Sequence, residues 1–221
     1  MPPRLVFPDA DAAADALTFA GRSAALDSDA AVSLQAHAGV LAMTTAVLAP
    51  RGLLDAMPTV LAMRVLPVDP ELQCDLAVTA SALVAAGTAE VALPETAVRP
   101  AWTGMSPPRG SWTAAGALTS AQLAARAQWG MAAVAHDLPQ DPGEDIVRSV
   151  RARIWGQVDD DLGGLVRGVA FAAVSMGFVH GEEQARVVTA PGWTRITLRR
   201  GHILVRGPVR SGLTAVRETG A

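Results

Sequence analysis

Three stretches of this chain hold residue types that chemistry could use. The first is "HGEE", with His180, Glu182 and Glu183, preceded about twenty residues earlier by the run Asp159, Asp160 and Asp161. Imidazole and carboxylates can bind a metal ion or exchange protons when a fold brings them together. Polar residues at a helix end also need no chemistry, because an imidazole there meets the negative end of the helix dipole. The second stretch is "GWTRITLRRGHILVRG", Gly192 to Gly207, which reads as a β-hairpin carrying Arg195, Arg199, His202 and Arg206. Guanidinium groups recognise carboxylates and phosphates through paired N–H donors. The third is "WTGMSPPRGSW", with Trp102, Arg109 and Trp112, where arginine can hold an anion or stack on an indole.

Other constellations are missing. The chain contains no G-x-S-x-G elbow, P-loop, H-E-x-x-H or deaminase signature. No pair of carboxylates stands at a spacing that by itself implies acid–base catalysis. Cys74 is the single cysteine, so an intramolecular disulfide and a cysteine metal cluster are excluded. Its setting, "LQCDLAV", reads as a strand in which a thiol is a small apolar side chain. His136 falls in a helix's last turn, and His37 on a strand's polar face. No cofactor and no metal are expected, and no catalytic residue can be named.

Charge is distributed unevenly. From Arg186 to the C-terminus the chain has seven arginines and one acid, a formal +6, whereas residues 1–185 have eleven arginines and twenty acids, a formal −9. Such asymmetry points to an anionic partner or to self-association by charge complement, unless the basic tail simply folds over the acidic body. The overall formal charge of −3 and pI near 5.8 argue against nucleic acid as the partner. Lys, Asn and Tyr are absent while Ala, Arg, Gly and Pro abound, the signature of a GC-rich genome, so arginine in place of lysine is not evidence for phosphate binding.

The elements that must position these groups follow from hydrophobic period. Asp9 caps a helix to about Leu26, with Ala13, Leu17, Ala20 and Ala24 on one face. "AVSLQAHA", "VLAMTTAVL", "TVLAMRVL" and "CDLAVTA" then read as antiparallel strands, and Ser81 as the cap of a short helix through "ALVAAG". Residues 94–116 hold Pro and Gly at a density that breaks regular structure, yet two tryptophans predict an ordered loop. Thr119 and Gln122 fit a capping box, followed by the stripe Leu123, Ala127, Met131, Val134 and Leu138. "DPGEDIVRSVRARIWG" predicts a helix with Asp141 at its N-cap and Gly156 at its stop, turning Ile146, Val147, Val150 and Ile154 inward. Leu162 to Val179 is apolar nearly all round and reads as a third, central helix. "ARVVTA" and the hairpin close the chain as three antiparallel strands. The class is α+β, arranged as an α+β half at 1–95, an ordered Pro/Trp loop at 96–116, and a helical and hairpin half at 117–221 that can share one core with the first.

The hairpin's sidedness rests on burial. A two-residue loop at Arg200-Gly201 pairs Arg199 with His202 and Arg195 with Arg206. Ile196, Leu198, Ile203 and Val205 then share one face, and Arg195, Thr197, Arg199, His202, Leu204 and Arg206 the other. Strand, three helices and a basic hairpin is also the outline of a winged-helix DNA binder, but the third helix offers only Arg167 to a groove.

No signal peptide is expected, because acids follow the N-terminus without a long apolar core. The 162–179 run carries Arg167 and several glycines and is too interrupted to span a bilayer; its Gly164 and Gly168 suit close packing. A cytoplasmic protein is expected. The segments "WTGMSPPRGSW", "RARIWG" and "RGHILVRG" resemble those of an uncharacterised protein family of GC-rich actinobacteria, a resemblance over most of the chain that implies no activity. The expectation is a non-catalytic binding or assembly protein, self-associating, with Arg195, Arg199, His202 and Arg206 and the loop's Trp102, Arg109 and Trp112 as the binding residues. An enzyme with a site near His180, or a DNA binder, is the alternative.

Overall fold

The computed structural model describes residues 3–50, 57–105, 107–108 and 110–206. The elements run β1 (Arg4–Val6), α1 (Ala10–Leu26), β2 (Ala31–His37), β3 (Val40–Leu48), β4 (Thr59–Pro67), β5 (Cys74–Thr79), β6 (Val84–Gly87), β7 (Glu90–Ala92) and β8 (Thr113–Thr119). They continue α2 (Ser120–Asp137), α3 (Glu144–Trp155), β9 (Val158–Asp159), β10 (Leu165–Val166), α4 (Gly168–Ser175), β11 (Gln184–Ala190), β12 (Trp193–Leu198) and β13 (Gly201–Arg206). Helices and antiparallel sheets are mixed, as an α+β class requires.

One eight-stranded antiparallel sheet, ordered β5-β2-β3-β4-β13-β12-β11-β8, runs through both halves of the chain. A three-strand meander occurs twice, as β2–β4 directly after α1 and as β11–β13 directly after α4. The last strands of the two meanders pair, with Leu61 opposite Leu204 and Thr59 opposite Arg206. The sequence shows no repeat at a fixed period, so the duplication lies in topology alone. A small sheet β1-β7-β6 and the hairpin β9-β10 complete the strands.

Helices α1, α2 and α4 pack on the large sheet, and α3 packs on α2. Asp9 caps α1 by accepting from the Ala12 N–H at 2.8 Å, and Ala13, Ala16, Phe19 and Ala20 are buried. The capping box of Thr119 and Gln122 opens α2. Its inward stripe is corrected at Met131, which is 43% exposed; Gly130 takes the inward place, because a Cβ there would strike the Trp155 ring. Trp155 in turn stacks on Phe171 at 4.5 Å between centroids. The third predicted helix is shorter than its apolar run. Gly163 and Gly164 have φ of 65° and 81° and end any helix before it starts, so α4 holds only eight residues, bounded afterwards by Gly177 at φ 66°. It is central as expected, with Gly168 to Ala173 all buried.

Two further boundaries differ. Asp141 has φ 55°, which no N-cap adopts, so α3 starts at Glu144 behind Gly143 and Ile146 is left 48% exposed while Val150 and Ile154 are buried. Ser81 lies in a 3₁₀ turn, Ala80–Ala82, that leads into strand β6 rather than a helix. On the helical side of the sheet, Ile196, Leu198, Ile203 and Val205 join Val32, Leu34, Leu41 and Val60 and the helix residues in one core. Among the described residues no helix is long and apolar enough to cross a membrane.

Candidate functional site

The hairpin pairs Ile196 with Ile203, Arg195 with Leu204, Trp193 with Arg206 and Leu198 with Gly201. The turn is therefore Arg199-Arg200, and the expected pairings of Arg199 with His202 and of Arg195 with Arg206 are corrected: the ladder is slipped by two residues. Neither turn arginine has a positive φ. Gly201 serves packing instead of the turn, since a Cβ there would come within 2.5 Å of the Phe178 ring. Side chains alternate with period two, so a slip of two preserves the faces. Aliphatic residues still point to the helices, while Arg195, Thr197, His202, Leu204 and Arg206 still share the other side.

That outer side forms three rows across the strands. Arg186, Thr197, His202 and Met63 make the first, Val188, Arg195, Leu204 and Leu61 the second, and Ala190, Trp193, Arg206 and Thr59 the third. Leu61, Trp193 and Leu204 are buried there, under Trp102, Met105 and Trp112 from the loop between β7 and β8. The loop's closing turn is tied by the Trp112 Nε1–H donating to the Pro108 carbonyl at 3.1 Å. The Arg195 guanidinium lies 4.6 Å from the Trp112 ring and that of Arg206 5.9 Å from the Trp193 ring. An open groove of about 550 Å³ beside them is bordered by Pro108, Gly110, Ser111, Pro191 and Trp193.

Arg195, His202, Arg206, Trp102 and Trp112 are thus brought to one face. Arg109 lies outside the described residues. Arg199 stands apart in the turn, where its backbone N–H donates to Glu183 Oε2 at 3.0 Å, its Nη2 to the Glu182 carbonyl at 3.1 Å, and its charge meets Glu183 at 3.5 Å. Two residues of the face escaped sequence reasoning. Arg186 stands two residues before Val188, and Trp193 two before Arg195, so following the period of two through "ARVVTAPGWTR" would have found both.

This face is basic. Ion pairs among the described residues use Arg4, Arg64, Arg126, Arg148, Arg153, Arg167 and Arg199. Arg186, Arg195 and Arg206 have no carboxylate within 4.0 Å among them. Arg195 Nε is buried without an acceptor. Burial, with Arg186 nearby, pushes the Arg195 pKa down. Burial and then Arg195, Arg64 and Arg186 hold His202 below the ordinary imidazole value, so it is neutral at pH 7, with Nδ1 3.1 Å from Thr197 Oγ1. Three guanidinium groups, one in each row, two of them over indoles and all without a carboxylate in ion-pair reach among the described residues, can bind an anionic surface.

Of the acids singled out in sequence, Asp159, Asp161 and Glu183 are engaged by arginines, although Glu183 Oε1 is buried without a hydrogen-bond partner among the described residues. Asp159, 6% exposed, accepts from Arg167 Nε at 2.8 Å and from the Asp161 N–H at 3.0 Å, while Asp161 pairs with Arg126. Glu183 faces Arg199, and the Glu183 carbonyl accepts the Ser120 N–H at the start of α2. Among the described residues no three His, Cys, Asp or Glu side chains are placed to hold a metal ion. Cys74 is half-buried, and burial raises its pKa, which keeps it a thiol. The winged-helix outline fails on geometry: α4 is buried, and β12 and β13 are interior strands of the large sheet.

Residues 1–104 match a domain of unknown function, DUF8010, and residues 107–210 match another, DUF8185. The two ranges meet in the loop between β7 and β8. No curated protein matches. Among solved structures, the chain is similar to a protein described as the DNA polymerase III beta subunit of Eubacterium rectale, at TM-score 0.48 and 6% identity over 92% of this chain and 64% of that one. It is similar to the DNA polymerase sliding clamp of Caulobacter crescentus at TM-score 0.47 and 10% identity, over 99% of this chain and 69% of that one. The sliding clamp of Bartonella birtlesii, solved with griselimycin, gives TM-score 0.48 and 11% identity over 94% and 65%. The chain spans about two thirds of the length of these proteins.

Proposed function

We propose that this is a non-catalytic binding and assembly protein of the cytoplasm, from a family of GC-rich actinobacteria, that self-associates through the outer face of its sheet. One observation carries the reading: Arg186, Arg195 and Arg206 share that face, and none has a carboxylate partner among the described residues. Keeping like charges together in this way costs stability unless something outside the chain answers them.

A second copy can answer them. Asp69, Glu71 and Asp75 cluster around β5, at the opposite end of the sheet from β8. Glu71 and Asp75 are exposed, and no cation lies within ion-pair distance of the three among the described residues. Basic rows towards one end and acids at the other favour a head-to-tail contact, which closes into a ring or runs on as a filament. The halves 1–95 and 117–221, bridged by the 96–116 loop, would then act as one body, because their described residues share a sheet and a core.

Light scattering on the full chain tests this. The wild type is expected to exceed its monomer mass of 22.8 kDa, and to lose the excess as salt rises or when Arg186→Glu and Arg206→Glu are combined. A monomer at every protein concentration would overturn the reading, as would an assembly indifferent to both changes. A salt-dependent shift of random duplex DNA without any gain in mass would redirect the same face to nucleic acid and equally overturn self-association.

A further inference from the structure

We infer that the cleft between α1, the end of α4 and the hairpin turn is a separate binding site for a small molecule carrying a carboxylate or phosphate group. The cleft holds about 320 Å³ and is lined by Asp11, Asp15, Thr18, Arg22, Arg64 and Arg200 above a floor that includes Phe19 and Phe178. Those two rings stack with centroids 6.4 Å apart, so the floor is apolar and the walls are charged.

The arginines have distinct roles. Arg64 is fully engaged: Nε donates to Asp15 Oδ2 at 2.9 Å, Nη2 donates to the same carboxylate, and Nη1 donates to the Arg200 carbonyl. It is a positioning residue that ties the hairpin turn to α1. Arg22 lies across Gly177, and its Nη1 donates to the Met176 carbonyl at 2.5 Å. Gly177 has φ 66°, and a Cβ there would collide with the Arg22 guanidinium, so the glycine is what admits that side chain. One bond leaves Arg22 with Nε and Nη2 without acceptors among the described residues. Arg200 is exposed, and its guanidinium has no carboxylate within 4.0 Å among the described residues.

Arg22 and Arg200, each with unused guanidinium donors, therefore border one cavity together with Thr18. Its five charged side chains, three Arg and two Asp, sum to +1. That balance suits one anionic headgroup, and the phenylalanine floor suits a small apolar body behind it. These arginines face the helical side of the fold and share no member with the outer face, so the two sites stand or fall separately.

Isothermal titration of the full chain with benzoate and, separately, inorganic phosphate tests the site. Saturable one-to-one binding of at least one probe is expected, and which probe binds tells carboxylate from phosphate. Arg200→Gln, in an exposed turn whose backbone carbonyl still accepts from Arg64, should weaken binding at least tenfold. Gly177→Ala, which displaces Arg22, should do the same, and Arg206→Glu should bind like the wild type. The inference is overturned if neither probe saturates, if Arg200→Gln binds unchanged, or if Arg206→Glu abolishes binding.

Discussion

Replacing Arg195 with Met should leave the protein as stable as the wild type, or more so, while weakening its assembly. The substitution removes a cation stacked 4.6 Å from the Trp112 ring, an interaction worth about 0.5–2 kcal/mol. It also removes a buried Nε that has no acceptor, a defect that costs about 1–3 kcal/mol. Relief of the charge it shares with Arg186 adds to the gain. Met keeps an unbranched side chain against the indole, and a sulfur–aromatic contact returns about 0.3–1.5 kcal/mol. The midpoints of these terms sum to a gain of about 1.5 kcal/mol, and each kcal/mol moves Tm by about 2–4 °C in a protein of this size. Urea unfolding followed by tryptophan fluorescence gives the stability, and light scattering gives the assembly. A loss of more than about 1.5 kcal/mol would refute the reasoning, because Arg195 would then be a structural post rather than a group kept for a partner.

Three further outcomes follow from the packing and the charges. Gly201→Ala pushes a methyl into the buried Phe178 ring and should cost about 1–3 kcal/mol, read as a lower Tm; an unchanged melt would mean the ring gives way and does not require glycine there. His202 has a folded pKa below its ordinary value, so the unfolded chain takes up the proton first. Its share of stability is complete above the ordinary value and is lost as pH falls towards the folded one. His202→Gln should therefore flatten the fall in stability between about pH 7 and pH 5, and a wild-type slope in the variant would remove His202 as its source. Asp159→Asn leaves Arg167 and Arg126 facing an uncharged group. Breaking a fully buried pair costs about 3–5 kcal/mol, but Arg126 is partly solvated, so a loss of about 2 kcal/mol in urea unfolding is expected.

Local rules that act within a few residues were legible in the sequence. The Asp9 cap, the Thr119–Gln122 box and the alternation in β2 all depend on neighbours in the chain. The sidedness of β12 and β13 survived a wrong ladder because burial specifies the face, while the slip of two was invisible to it. What chose the slip is Phe178 lying on Gly201, a contact between residues 23 apart in sequence. Likewise the apolar run at 162–179 hid its own interruption: Gly163 and Gly164 adopt positive φ only because β9 and β10 turn there. β8 escaped notice since "TAAGALT" lacks the branched and aromatic residues that mark strands, and its place comes from pairing with β11. Of the basic face, the tryptophan loop and the hairpin arginines were each visible, but their meeting across Leu61, Trp193 and Leu204 is tertiary. Arg199 was grouped with them by proximity in sequence, whereas the turn delivers it to Glu183.

Mixing two charge-reversed chains tests the central claim most directly. One carries Arg186→Glu with Arg206→Glu, the other Glu71→Arg with Asp75→Arg, and sedimentation velocity measures each alone and the two together. Each alone should sediment as a monomer of about 22.8 kDa, and the mixture should recover a larger species that salt dissolves. Two reversed chains that assemble as well alone as the wild type, or that stay monomeric when mixed, would contradict a contact between the basic face of one copy and the acidic end of the next.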